Sequence, residues 1–112
     1  MTRTDPLMPP CGPERDRLVA EAVGWTWVEY ADAIVVRCPS SSDPDALAAL
    51  EAWADAAPPG EDRGYTLHRH GTGRRVVELW QSKRRATYGH GDTLRDAATA
   101  ALVRWRNERS AT

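Results

Sequence analysis

The sequence predicts an α+β fold in which helices alternate with β-hairpins, helix–hairpin–helix–hairpin–helix (αββαββα), with a four-stranded, mostly antiparallel sheet layered with the helices. Three observations predict it. Runs rich in aromatic and β-branched residues fall at 25–30, 33–38, 65–70 and 75–81, the signature of strands. Apolar residues recur at helical spacing before, between and after those runs. Short polar or glycine-bearing breaks separate the members of each strand pair. At 112 residues, with 41% apolar and 28% charged side chains, the chain has the length and composition of one water-soluble domain.

Residues 1–13 contain four of the eight prolines. Proline lacks a backbone donor and fixes φ, so this stretch is expected as a disordered tail, with residues 14–112 as the single domain. Leu18, Val19, Ala22 and Val23 then mark a short amphipathic helix stopped by Gly24. The first hairpin follows: Trp25–Tyr30, the break Ala31-Asp32, and Ala33–Cys38, ended by Pro39 and the serine run 40–42. Asp43-Pro44 reads as a helix start, with a capping carboxylate before proline at the first helical position. Leu47, Leu50, Trp53, Ala54 and Ala57 form that helix's apolar stripe, and Pro58-Pro59-Gly60 ends it. The second hairpin runs from Tyr65 to about His70, turns at Gly71–Arg74, and returns from Arg75 to about Gln81, with 82–91 continuing that strand in part before looping. Asp92 or Thr93 caps the closing helix, whose stripe is Leu94, Ala98, Ala101, Leu102 and Trp105.

Several functional classes find no support. No apolar run reaches the roughly 18–20 residues of a membrane span, and the N-terminus lacks the apolar stretch of a secretory signal. Two cysteines, Cys11 and Cys38, are too few for a disulfide scaffold and fit free thiols in a cytoplasmic protein. Neither a Walker pattern nor a dinucleotide-binding fingerprint is present. His68 and His70 share a strand face that His90 could approach, but the close ligand pairs of a zinc site are missing. His90 has no evident nucleophile or oriented water to serve. No metal, cofactor or catalytic residue is therefore expected.

The net charge of −1 conceals a division. Residues 1–62 carry 4 Arg against 12 Asp and Glu, a net −8, whereas residues 63–112 carry 11 Lys and Arg against 4 Asp and Glu, a net +7. Attraction between the halves on folding explains part of this. The basic residues are nevertheless concentrated at Arg69, Arg74, Arg75, Lys83, Arg84 and Arg85, with Arg95 a turn into the last helix. Guanidinium forks bind phosphate bidentately, so these residues form a candidate anion site, to which Tyr88 and His90 add stacking or polar contacts. The same charges would also serve as a solvated guard on an exposed strand, and both readings stand at this point. The segment Gly89–Thr93 reads as a glycine-rich turn into a helix, a phosphate-favouring arrangement that Asp92 at the cap would oppose. Acidic residues Asp43, Asp45, Glu51, Asp55, Glu61 and Asp62 along and after the second helix form either a solvated face or an imitation of nucleic acid. The tryptophans read as core, Trp53 and Trp105 most clearly, with Trp80 harder to place.

The opening Leu18-Val19-Ala20-Glu21-Ala22-Val23-Gly24-Trp25 and the ending Gly91-Asp92-Thr93 with Ala97-Ala98 and Ala100-Ala101-Leu102 resemble the phage ABA sandwich domain family, over about residues 14–105. The chain departs from that family in its Pro-rich N-terminus and its Arg-rich stretch between 69 and 85. The resemblance implies a layered sheet-and-helix fold and a bacteriophage origin, and it implies no catalytic residues. With the basic cluster, it leads to the expectation of a non-enzymatic, phage-encoded binding protein in the host bacterial cytosol. Such a protein would antagonise host defence by sequestering a phosphate-bearing nucleotide signal, with homo-oligomerisation a way to complete a pocket. The alternatives are a protein that blocks a host nuclease or CRISPR complex, and a small accessory nucleic-acid-binding protein.

Overall fold

The structure, a computed structural model, describes residues 8–25, 38–71 and 73–110. The first expected hairpin lies outside the described residues except for its ends, Trp25 and Cys38. Six elements follow one another: helix α1 (Pro13–Val23), helix α2 (Asp43–Asp55), strands β1 (Arg63–Arg69), β2 (Arg75–Gln81) and β3 (Arg84–Gly91), and helix α3 (Leu94–Ser110). The α+β class agrees with the expectation. The element order does not: among the described residues it is ααβββα, and the sheet has three antiparallel strands in the order β1-β2-β3 rather than four in two hairpins.

The helix boundaries follow from local chemistry. Pro13 opens α1, and Gly24 closes it at φ 83, returning its amide to the Ala20 carbonyl, a left-handed cap that favours glycine. Ser42, one residue before the expected cap, accepts the Asp45 amide at the head of α2. Thr93, rather than Asp92, caps α3 by accepting the Asp96 amide at 3.1 Å.

The additional strand is β3, in the stretch expected to continue β2 in part and then loop. Ser82 and Lys83 take φ of 49° and 69°, forming a two-residue turn with left-handed geometry at both positions. Such turns reverse a twisted strand directly and are normally signalled by Asn-Gly; here Ser-Lys hides the signal. The glycines that suggested a turn before α3 lie within the strand instead. Gly89 pairs with Val77 and Gly91 with Arg75. A Cβ on Gly89 would sit 2.3 Å from the Ala101 nitrogen and 2.4 Å from the Ala97 oxygen. Glycine is needed there because α3 lies directly on β3, backbone against backbone.

Helices α3 and α2 pack on one side of the sheet, and α1 packs on those two helices. Val77 and Leu79 point inward from β2 to meet Ala97, Ala98, Ala101, Leu102 and Trp105 of α3, with Leu50 and Trp53 of α2 and Val19 and Val23 of α1 completing the core. The α2 stripe is Ala46, Ala49, Leu50 and Trp53, with Leu47 at its exposed border. Trp53 and Trp105 meet edge to face at 5.6 Å. The Arg63 guanidinium lies over both rings, at 5.0 and 4.9 Å, held by Glu61 and the Trp53 carbonyl.

Residues 8–12, expected within the tail, are engaged with the helices. Met8 packs on the core, and buried Arg15 donates to Asp96 at 2.9 Å and to the Cys11 sulfur at 3.2 Å. Ser40 accepts the Gly12 amide and donates its own amide to buried Asp16. The two charge halves meet through Arg106–Glu21 at 2.6 Å and Arg95–Asp43 at 3.3 Å. Among the described residues, no helix is long and apolar enough to cross a membrane.

Candidate ligand-binding face

Because side chains alternate along a strand, the residues next to the inward Val77, Leu79, Thr87 and Gly89 project from the other face of the sheet. That face carries Thr66 and His68 from β1, Val76, Glu78 and Trp80 from β2, and Arg85, Tyr88 and His90 from β3. Among the described residues no element covers it, and Thr66, His68, Arg85, Tyr88 and His90 are exposed.

Glu78 lies at its centre. Thr66 and His68 donate to its Oε1 at 3.1 and 2.6 Å, and Arg85 to its Oε2 at 3.2 Å. Partial desolvation pushes this carboxyl's pKa up, but the hydrogen bonds from His68, Arg85 and Thr66 outweigh it and hold the group below the ordinary glutamate value. Thr66 also accepts the Trp80 indole N–H at 3.1 Å, which fixes that half-buried ring against β1. The negative charge at mid-sheet is thus matched by Arg85 and covered by donors.

Two rings stand on adjacent outward positions of β3. Tyr88 and His90 are 6.3 Å apart at a tilt of 31°. Arg85 lies 5.2 Å from the Tyr88 ring centre and Arg104, reaching from α3, lies at 5.0 Å while donating to the Tyr88 carbonyl at 3.1 Å. At the other end Arg74 donates to His90 Nδ1 at 2.6 Å. Arginine only donates, so Nδ1 is the acceptor and the ring proton sits on Nε2. His70, Gly71, Arg74, Val76 and His90 line a shallow depression of about 600 Å3 there.

The expected anion residues therefore divide. Arg74, Arg85, Tyr88 and His90 share the open face. Lys83 extends from the β2–β3 turn at one end of it and is exposed, whereas Arg84 pairs with Gln81, which faces Trp105 of α3, and so belongs to the helix side. Arg69 and Arg75 are cross-strand partners at the opposite end, in register with the inward positions, and so belong to the helix side. Arg95 is turned to Asp43 of α2 and stands apart from the face. The histidines do not converge with Cys38: His68 is bound to Glu78, His90 to Arg74, and Cys38 lies at the head of α2, donating its amide to Asp45.

The acidic residues are largely occupied within the molecule. Asp43 holds Arg95 and Asp45 holds the Cys38 amide. Glu51 accepts the Tyr65 hydroxyl; burial, then this bond, raises the Tyr65 pKa to about 12. Glu61 accepts from Arg63 and Gln81. A second depression, of about 360 Å3, lies on the helix side between Glu21, Gly24, Arg63, Trp105 and Arg106, where Arg63 and Arg106 are already paired.

Sequence reasoning did not bring Arg104 to the site, nor Glu78 and Thr66. The available signal was the alternation Thr87-Tyr88-Gly89-His90-Gly91, small residues inward and large ones outward, which marks a strand and would have put Tyr88 and His90 on one face. A search of protein families, of curated proteins and of solved structures finds no match to this chain, so the resemblance to the phage family rests on its own motifs.

Proposed function

We propose that this chain is a non-enzymatic binding protein that holds a phosphate-bearing, base-containing ligand on the open face of its sheet. The observation that carries the reading is the Tyr88–His90 ring pair bracketed by Arg74, Arg85 and Arg104. Exposed rings beside guanidinium groups offer a stacking surface for a base and forked donors for a phosphate. The Nε2 proton of His90, on the side away from Arg74, adds a further donor. The covered carboxylate of Glu78 leaves the face net positive. The resemblance to the phage family supports setting this binding in the contest between a phage and its bacterial host, where capture of a nucleotide ligand in the host cytosol would blunt a defence. Blocking a host nuclease by imitation of nucleic acid draws less support, since Asp43, Asp45, Glu51 and Glu61 are occupied by internal partners.

A thermal-shift screen with nucleotides and short oligonucleotides tests the reading. A ligand at about a hundred times its dissociation constant adds roughly 2.7 kcal/mol of stability. The double substitution Arg74→Glu, Tyr88→Ala is expected to remove that shift while leaving the ligand-free melting temperature within a few degrees, because both side chains are exposed. A full ligand shift in the double variant would rule the face out.

A further inference from the structure

We infer that the ligand is a run of single-stranded nucleic acid laid along the strands, on the order of four to seven nucleotides long, rather than a mononucleotide. The inference rests on the open-face reading above and names the ligand class for that same site.

The cations stand at the two ends of the face. Arg74 precedes β2 and Lys83 follows it, with the seven residues of β2 between them, about 23 Å of extended chain. One phosphate cannot bridge that distance. A polynucleotide at about 3.4 Å per stacked nucleotide can. Tyr88 and His90 lie between the ends at adjacent outward positions, placed to stack successive bases. A base stacked on a ring must present its own face, which a duplex keeps inside the helix, so the bases are unpaired. The depression near His70 and Arg74 is shallow, and the rest of the face is flat, so no wall encloses a small ligand. On a flat surface affinity accumulates from contacts repeated along a strand, as in other single-strand binders.

The β2–β3 turn is an independent indication. Ser82 and Lys83 both adopt positive φ, a geometry most easily met by Asn-Gly. The only lysine of the chain occupies a position where glycine would be unstrained, and it puts an exposed ammonium at the end of the ring-bearing strand. Arg85 follows it on the open face, paired with Glu78. Backbone of this kind clusters at ligand-contacting sites.

The test is fluorescence anisotropy with labelled oligo-dT and oligo-rU of about two, four and eight nucleotides, with dTMP and UMP as competitors, and with an eight-base-pair duplex, all on the full chain. Affinity is expected to rise at least tenfold from two to eight nucleotides. It should fall roughly 20- to 50-fold between about 50 and 200 mM salt, as neutralising three or four phosphates of a single strand requires. The DNA and RNA arms identify which backbone is preferred. Lys83→Gln should weaken the eight-mer about fivefold, as loss of one phosphate contact requires, and leave mononucleotide competition unchanged, whereas Tyr88→Ala should weaken both; melting temperatures show that each variant is folded. Affinity independent of length and matched by the mononucleotide overturns the polymer inference and leaves the open-face reading intact. Duplex bound as tightly as single strand overturns the stacking argument. No binding of any of these probes at either salt overturns both.

Discussion

Trp105 illustrates how a core without phenylalanine is assembled. Each large ring brings a polar edge inside, and the Trp105 indole finds Gln81 at 3.0 Å, while its faces meet Trp53, Arg63 and Arg109. Only 7% of the residue remains exposed. Trp105→Ala is expected to cost about 3–5 kcal/mol through the cavity and the lost contacts. In a domain of this size that lowers the melting temperature by about 10 °C or more, a change read directly by calorimetry. Glu78 makes a different residue-scale prediction. Its folded pKa is depressed below the ordinary 4.5, so its stabilising contribution is complete above that value and is lost as pH falls through the folded pKa. Protonation would also free Arg85 and His68. Between pH 5 and pH 3, roughly, the wild type should therefore lose stability faster than Glu78→Gln, with the two urea-unfolding midpoints converging at the acid end.

At the scale of elements, the contact of α3 with β3 is the most demanding in the described fold. Gly89→Ala would drive a methyl into the helix backbone at Ala97 and Ala101, where nothing can rotate away, and is expected to cost about 1–3 kcal/mol or more. Gly64→Ala, with open space around its Cβ, should cost under about 1 kcal/mol as the matched control; equal losses in the two variants would contradict the close packing. The same contact explains what was legible in the sequence. Helices α1, α2 and α3 were readable because their apolar residues recur at helical spacing and Gly24, Pro44 and Pro58 mark their limits. Strands β1 and β2 were readable from alternation around a glycine turn. Strand β3 was obscured because its inward positions need almost no side chain, so Gly89 and Gly91 resembled a loop, and because Ser82-Lys83 turns the chain without the residues that usually announce it. The candidate site was half legible for the same reason. Its arginines stood out by composition, but which of them share a face depended on β3: Arg74 and Arg85 do, Arg69 and Arg75 do not, and Arg95 serves the packing of α2 on α3.

At the scale of the whole molecule, the charge division in the sequence becomes a division in space. Residues 63–91, the strands and their turns, carry seven Lys and Arg against the single Glu78, whereas α2 carries four acidic residues and no basic one. The pairs Arg106–Glu21 and Arg95–Asp43 join the layers without cancelling the exposed cations at Arg74, Lys83 and Arg84. A molecule of net charge −1 is thus also a dipole. Its chromatography should look paradoxical as a result: at pH 7.5 and low salt, where the chain as a whole is anionic, a cation-exchange resin is expected to retain it, sheet side down. Substituting Lys83 and Arg84 with Gln should release it into the flow-through even though the bulk charge changes by only two. The orientation that holds it on the resin is the one in which it would first meet any polyanion.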